Sequence, residues 1–286
     1  MFFNFITINL WAFLSVITAV GIIVGSFLNV VIHRLPIMMH SEWRKQCLLL
    51  LEQSPITTER QGVVYNLCRP ASHCSHCKHK LRFWENIPLL SFILLAGKCS
   101  HCKNAIAWTY PIVELIAGIS SLIIAWYFSW TEYLLPALLF SWILIILVTV
   151  DIQQQLLPDI LTLGLLWLGL FVNIFGLFAE PRVAIIGAIA GYLSLWLVAT
   201  IFKWCTGKEG MGHGDFKLLG ALGAWLGWKA LFFVVLFSSL LGATIGILLI
   251  TCRKYSRHTL IPFGPYLALA GWIALLYGNK INLLLF

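Results

Sequence analysis

Residues 133–151 read YLLPALLFSWILIILVTVD, an apolar run that closes on a carboxylate. At about 1.5 Å per residue such a run comes close to crossing a hydrocarbon core about 30 Å thick, so it predicts a membrane-spanning helix. An ionisable group costs on the order of 2.5–3.5 kcal/mol at the bilayer centre, and one held at the end of such a helix is a functional candidate by default. Asp151 is therefore the first residue to account for.

Outward from this stretch the same apolar character recurs. Hydrophobic residues make up 60% of the 286 and charged residues 10%; mean hydropathy is +0.91. That balance excludes an ordinary soluble fold. The pattern predicts an all-α polytopic membrane protein with about eight transmembrane helices, near 8–32, 105–128, 133–151, 157–178, 183–202, 215–228, 231–251 and 260–277. The sixth is short and carries Lys217, which suits a tilted or partly inserted segment. Ile87–Ala96 is apolar but too short to cross and is expected outside the lipid. Three regions follow: a first transmembrane helix (8–32), a loop domain (33–104) and a transmembrane core (105–286).

The first basic residue is Arg34, so the amino terminus lacks the basic region of a cleavable signal peptide and the first span is expected to be retained. Sixteen of the nineteen Lys and Arg residues fall on one side of the predicted spans, ten of them between Arg34 and Lys103; only Arg182, Lys229 and Lys280 fall on the other. The positive-inside rule then places the large loop in the cytoplasm and both termini outside. Topology signalling and anionic headgroups account for most of the formal +8, and with no basic run interleaved with aromatics and no phosphate-cradling glycine loop, no nucleic-acid partner is expected.

The loop holds six of the eight cysteines and six of the eight histidines. Cys74, Cys77, Cys99 and Cys102 form two C-x-x-C pairs with 21 residues between them, the spacing of a zinc ribbon lengthened by one residue. Two-residue spacing lets both thiolates of a pair reach one tetrahedral ion. A loop of this size has few large apolar clusters and needs a staple, and disulfides are rare in the cytoplasm, so the four cysteines are expected to hold structural zinc. His73, His76, His79 and His101 lie beside them and would have to displace a cysteine to ligate. Glu42–Gln53 has one charged and one leucine-rich side, which suits either an interfacial or a packing helix.

Asp215 follows Gly210-Met211-Gly212-His213-Gly214, where glycine lets the chain turn sharply and approach a neighbour. Three predicted spans return the chain from Asp151 to the same side of the membrane. Two carboxylates a few ångströms apart share a proton, the arrangement in which one activates water while the other donates to a scissile carbonyl. The alternative is a pair of ordinary helix-end residues. Asp159, after Leu157 and Pro158, suits a helix start.

Read together, the ordered stretches GSFLNVVIHRLP (25–36), the paired C-x-x-C (74–102), YPIVE (110–114), DIQQQLLPD (151–159) and GHGDFK (212–217) resemble the type IV prepilin peptidases, or type IV leader peptidase/N-methyltransferases. The resemblance covers almost the whole chain. It implies an aspartic endopeptidase of the G-x-G-D kind in the bacterial inner membrane, cutting the basic leader of type IV prepilins or type II secretion pseudopilins after glycine at the cytoplasmic face. Asp151 and Asp215 map onto the catalytic pair. It also implies methylation of the new amino-terminal residue, usually phenylalanine, with S-adenosylmethionine as donor, and ties the Gly97-Lys98 pair to that step. Glu114 is left open between substrate positioning and packing, and His213 is assigned no function. A proton-coupled transporter would show internal repeats and broken mid-membrane helices, which the sequence lacks. A thiol oxidoreductase would need its C-x-x-C pairs near an oxidising face. A non-catalytic zinc-bearing assembly scaffold would be told apart by silent aspartates.

Overall fold

The computed structural model describes residues 9–51, 65–74, 76–208, 210–252 and 262–285, and among these it is helical with isolated β-bridges and no strand. In order come α1 (Leu10–Leu50), a 3-10 turn (Phe83–Asn86), α2 (Leu90–Leu94), α3 (Thr109–Phe128), α4 (Leu134–Gln154), α5 (Asp159–Ile174), α6 (Pro181–Thr206), α7 (His213–Leu226), α8 (Trp228–Thr251) and α9 (Gly264–Leu285). The helices α1, α3, α4, α6 and α8 are long and apolar enough to cross a membrane, while α5 and the first part of α9 are shorter apolar helices. Arg60, Arg253, Lys254 and Arg257, which enter the charge count, lie outside the described residues.

The chain forms two compact units, Met1–Trp126 and Tyr127–Phe286. In the first, α1 does not end near residue 32 but runs unbroken through Pro36 to Leu50. The expected amphipathic stretch from Glu42 is its last part, of which Glu52 and Gln53 lie outside the described residues. Small residues bring α1 and α3 together: a Cβ on Gly25 would stand 2.8 Å from Glu114 Cα, and one on Gly118 would stand 2.6 Å from Ile22 Cγ1. Without a hydrophobic drive between helices in lipid, such close backbone packing is a main source of association. Arg34, 7% exposed, turns its charge inward and donates to three backbone carbonyls, those of Asn66 (2.9 Å), Leu67 (3.2 Å) and Pro70 (2.7 Å). It thereby ties the loop to α1.

In the second unit α7 is the central element, packed against α5, α6, α8 and α9. Ten of its fourteen residues are buried. Its neighbours cover most of its surface. Glycines make this possible: a Cβ on Gly223 would collide with the Gly187 carbonyl of α6, and one on Gly191 would lie 2.5 Å from the Leu219 carbonyl. At the far end of α7, Asn173 donates to the carbonyls of Ala224 (2.8 Å) and Trp225 (3.0 Å) and accepts the Phe178 and Ala179 N–H groups at 3.0 Å. A fully buried amide that satisfies carbonyls left over at a helix end removes a cost of about 1–3 kcal/mol per unpaired group.

Candidate active site

Asp151 occupies the last turn of α4, and the helix ends four residues later when Gln155 adopts a left-handed conformation (φ 52°) and donates to the Asp151 carbonyl at 2.8 Å. A carboxylate here faces the negative end of the helix dipole, and no basic residue lies in that turn to offset it. Stability of α4 therefore does not explain it. The side chain is 5% exposed, and its Oδ2 is, among the described residues, the one buried side-chain oxygen or nitrogen without a hydrogen-bond partner. The start of α9 comes against it. A Cβ on Gly264 would lie 2.5 Å from Asp151 Oδ2, so glycine is what lets the positive end of α9 approach the carboxylate, and the Gly264 N–H points toward it.

Asp215 enters from the first turn of α7, where a helix dipole favours an acid. Gly212 is the N-cap and its carbonyl accepts the Asp215 N–H at 3.2 Å. The side chain is 9% exposed and lies within the electrostatic reach of Asp151. Leu157 packs between the two helix starts: added Cβ atoms on Gly214 and Gly264 would stand 2.7 Å and 3.3 Å from it. Three chain segments distant in sequence, Asp151–Leu157 and the starts of α7 and α9, thus converge on the two acids. Gly264→Ala is expected to displace the Asp151 carboxylate and lower the turnover of any reaction at the pair by about 10–100-fold with KM little changed, read from steady-state kinetics.

Beside the pair, Lys217 Nζ donates to Asp159 Oδ1 at 2.6 Å and joins the second turn of α7 to the first of α5. Lys217 thereby finds its partner outside the apolar core. His213 is exposed and stacks edge-on against Phe216. Gly264, Leu157 and Asn173 carry no chemical signature, so sequence reasoning passes over them; only the buried polar character of Asn173 within an apolar run was a usable signal.

In the first unit the Sγ atoms of Cys74, Cys77, Cys99 and Cys102 all lie within 4.8 Å of one another, Cys74 and Cys102 at 3.8 Å. Four thiolates around one tetrahedral ion at about 2.3 Å stand about 3.8 Å apart, so the set fits a zinc ion. The two knuckles share one geometry. In each, the first cysteine N–H donates to a carbonyl five residues on (His79, Asn104), and the lysine four residues on (Lys78, Lys103) returns its N–H to that cysteine from a left-handed conformation. Hydrogen bonds, first from the Cys77 N–H, hold the Cys74 thiol down to about 6. Cys102 is pushed up to about 11: the Asn104 N–H pulls against the shift, while burial and the neighbouring thiols outweigh it. The cluster is thus poised to carry negative charge on a sulfur that a cation would neutralise.

Gly97 and Lys98 border a cavity of about 550 Å³ in this unit, walled by α2, the second knuckle and the first turns of α3. Gly97 has φ 69° and closes α2 by donating to the Phe92 carbonyl at 2.9 Å, and a Cβ there would press on the Phe92 ring at 3.1 Å. Glu114 accepts the Leu89 N–H at 2.8 Å and a hydrogen bond from Ser26, fixing one wall of the cavity to α3 and α1.

Residues 19–128 match the bacterial Peptidase A24 N-terminal domain and residues 138–247 the Type IV leader peptidase family. The chain is 50% identical over 279 residues to the prepilin leader peptidase/N-methyltransferase of Stutzerimonas stutzeri, covering 98% of this chain and 96% of that one. It is 51% identical over 271 residues to the protein of the same description from Pseudomonas aeruginosa (95% and 92% covered), and 44% identical over 271 residues to that from Legionella pneumophila (95% and 93%). No solved structure matches the chain.

Proposed function

This chain belongs to the type IV leader peptidase family, and from that premise we propose that Asp151 and Asp215 cleave the leader of a type IV prepilin at the cytoplasmic boundary of the bacterial inner membrane. The protein is a prepilin leader peptidase and N-methyltransferase embedded in a membrane. The observation that carries the reading is the burial of two interacting carboxylates where α4 ends and α7 and α9 begin, one with an oxygen lacking a partner.

Such a pair holds one proton between its two members. The ionised member takes a proton from water as its oxygen bonds to the scissile carbonyl carbon; the protonated member donates to the carbonyl oxygen. Collapse of the tetrahedral species breaks the C–N bond and returns a proton to the departing amine, and the pair is restored. The roles belong to the pair. Negative charge at this depth also draws in a basic leader. Pseudopilins of type II secretion offer the same leader chemistry and fall within the proposed substrate class. Eight spans, with the loop and both aspartates on the cytoplasmic side, fit this reading, α5, α7 and α9 being the shorter three.

Zinc held by Cys74, Cys77, Cys99 and Cys102 would staple the loop and take no part in hydrolysis. S-adenosylmethionine supplies the methyl group when bound. Lys98, exposed at the cavity rim, suits its carboxylate, with Gly97 leaving room beside it. The remainder of the cavity does not fit the donor, since its lining adds no carboxylate for ribose hydroxyls and no second charge.

Purified protein in detergent or proteoliposomes, given a prepilin and S-adenosylmethionine, is expected to yield a trimmed product one methyl group heavier by mass spectrometry. An untrimmed substrate would refute the peptidase reading. A trimmed but unmethylated one would refute only the methyl transfer.

A further inference from the structure

Ile87–Ala96 is too short to cross the lipid, yet its neighbours in the fold are residues that must lie inside it. α3 has twenty residues, which at about 1.5 Å each reach about 30 Å, the thickness of the hydrocarbon core. No length is left over, so Thr109 stands at the boundary on the loop's side and Leu115 about 9 Å below it. α2 packs at that level. Phe92 and Ile93 share with Pro111, Ile112 and Leu115 a cavity of about 550 Å³, and the Phe92 ring lies 5.1 Å from that of Trp108. The Leu89 N–H donates to Glu114, in the second turn of α3.

α1 serves as a second ruler. Gly25 lies against the Glu114 backbone, about 8 Å inside the boundary, so Arg34, nine residues on, stands about 14 Å further along α1 and outside the hydrocarbon. There its charge meets the carbonyls of Asn66, Leu67 and Pro70. The loop segment 66–70 is thereby on the aqueous side, and α2 is not.

What α2 turns outward is apolar. Leu90, Ile93 and Leu94 share one face, with Ile93 and Leu94 72% and 73% exposed, and Trp108 beside it is 70% exposed. Through the shared cavity this patch runs on into Ile112 and Leu115, exposed on α3 where lipid covers a spanning helix. Its backbone suits the same surroundings, because lipid tolerates backbone donors only when the protein itself satisfies them. The N–H groups of Ser91, Ile93 and Leu95 donate to the Ile87, Leu89 and Ser91 carbonyls, and those of Ala96 and Gly97 to Ile93 and Phe92. Leu89, ahead of the first turn, has the Glu114 carboxylate instead. Upstream of α2, Trp84 carries the Arg82 guanidinium over its ring at 5.4 Å, an aromatic and a cation paired as in a headgroup zone.

We propose that α2, with Trp84 and Trp108 on either side, is inserted in the leaflet on the loop's side, at the boundary of headgroups and acyl chains. Acyl chains fill the space between α2 and α3, and Arg82 faces headgroup phosphates. Glu114, left open by the sequence, then has a purpose: it holds α2 at its depth through the Leu89 N–H. Because α2 leads through Gly97 and Lys98 into Cys99, the same anchorage sets the height of the cysteine cluster above the membrane.

Full-length protein carrying Ile93→p-benzoylphenylalanine, reconstituted in vesicles of phosphatidylethanolamine and phosphatidylglycerol, is irradiated and its adducts are identified by mass spectrometry. Ala71, exposed and next to the Pro70 carbonyl that Arg34 holds, is substituted in the same way as the control on the aqueous side. Insertion of α2 is expected to give acyl-chain adducts at position 93 about tenfold or more above those at position 71. Leu94→p-benzoylphenylalanine, at an equally exposed position of the same face, is expected to give the same excess and reads the same quantity should the first variant fail to fold. Lipid adducts at positions 93 and 94 no more frequent than at position 71 would overturn the insertion. So would adducts to another segment of the chain, or to a second copy, in place of lipid.

Discussion

Asp151→Asn and Asp215→Asn are each expected to slow leader cleavage by at least about 10³-fold while the protein still inserts and folds. Asparagine keeps the shape of the side chain but can neither take a proton from water nor give one back, so either substitution breaks the proton cycle. Neither variant is expected to lose stability. Asp151 stands at the negative end of α4 without a basic neighbour in its turn, and its Oδ2 has no hydrogen-bond partner. Removing that charge should leave thermal stability unchanged or raise it. Asp215 stands in the first turn of α7, where the dipole favours a carboxylate by about 0.3–1 kcal/mol, but burial and the neighbouring Asp151 charge oppose it, so its neutralisation should likewise leave stability unchanged or raise it. Loss of activity without loss of stability is the mark of a residue kept for chemistry. Thermal unfolding in detergent, followed alongside the cleavage rate, checks both statements.

The second large effect concerns the loop. Cys99→Ser is expected to reduce bound zinc from about one ion per chain to well under half of that, by metal analysis of protein purified without chelator. Cys99 is the buried member of the four. Structural zinc contributes about 10–16 kcal/mol in small zinc domains, so its loss should loosen the knuckles as a unit. Limited proteolysis then cuts between residues 65 and 106 in the variant and not in the parent protein. Methyl transfer should fall with it, because Gly97 and Lys98 lead directly into Cys99, and the Lys98–Ala105 bridge that closes the second knuckle borders the cavity. Zinc content that survives the substitution would remove the metal assignment.

Much of this could be read from residue order because the signals were local. The C-x-x-C pairs state their own geometry, and an acid at the end of an apolar run is conspicuous. What escaped depends on partners distant in sequence. The first transmembrane helix was expected over residues 8–32, yet α1 continues to Leu50, with Arg34 taken up by loop carbonyls and not by solvent. Counted as a topology charge, Arg34 is also a structural clamp. The segment 215–228 looked weak as a span on length and on Lys217. Its glycines and alanines instead mark a helix buried among others, with Lys217 reaching Asp159 beyond them. Gly264 carried no signal at all, because its importance lies in what a Cβ would touch.

Leader cleavage requires Asp151 and Asp215 to act as one unit. The most direct measurement is the single-turnover rate of leader release by the Asp151→Asn/Asp215→Asn double variant beside each single variant. Cooperating groups predict that the double variant is no slower than the slower single, since the proton cycle is already broken. A further multiplicative drop in the double variant, or substantial cleavage by either single variant, would contradict it.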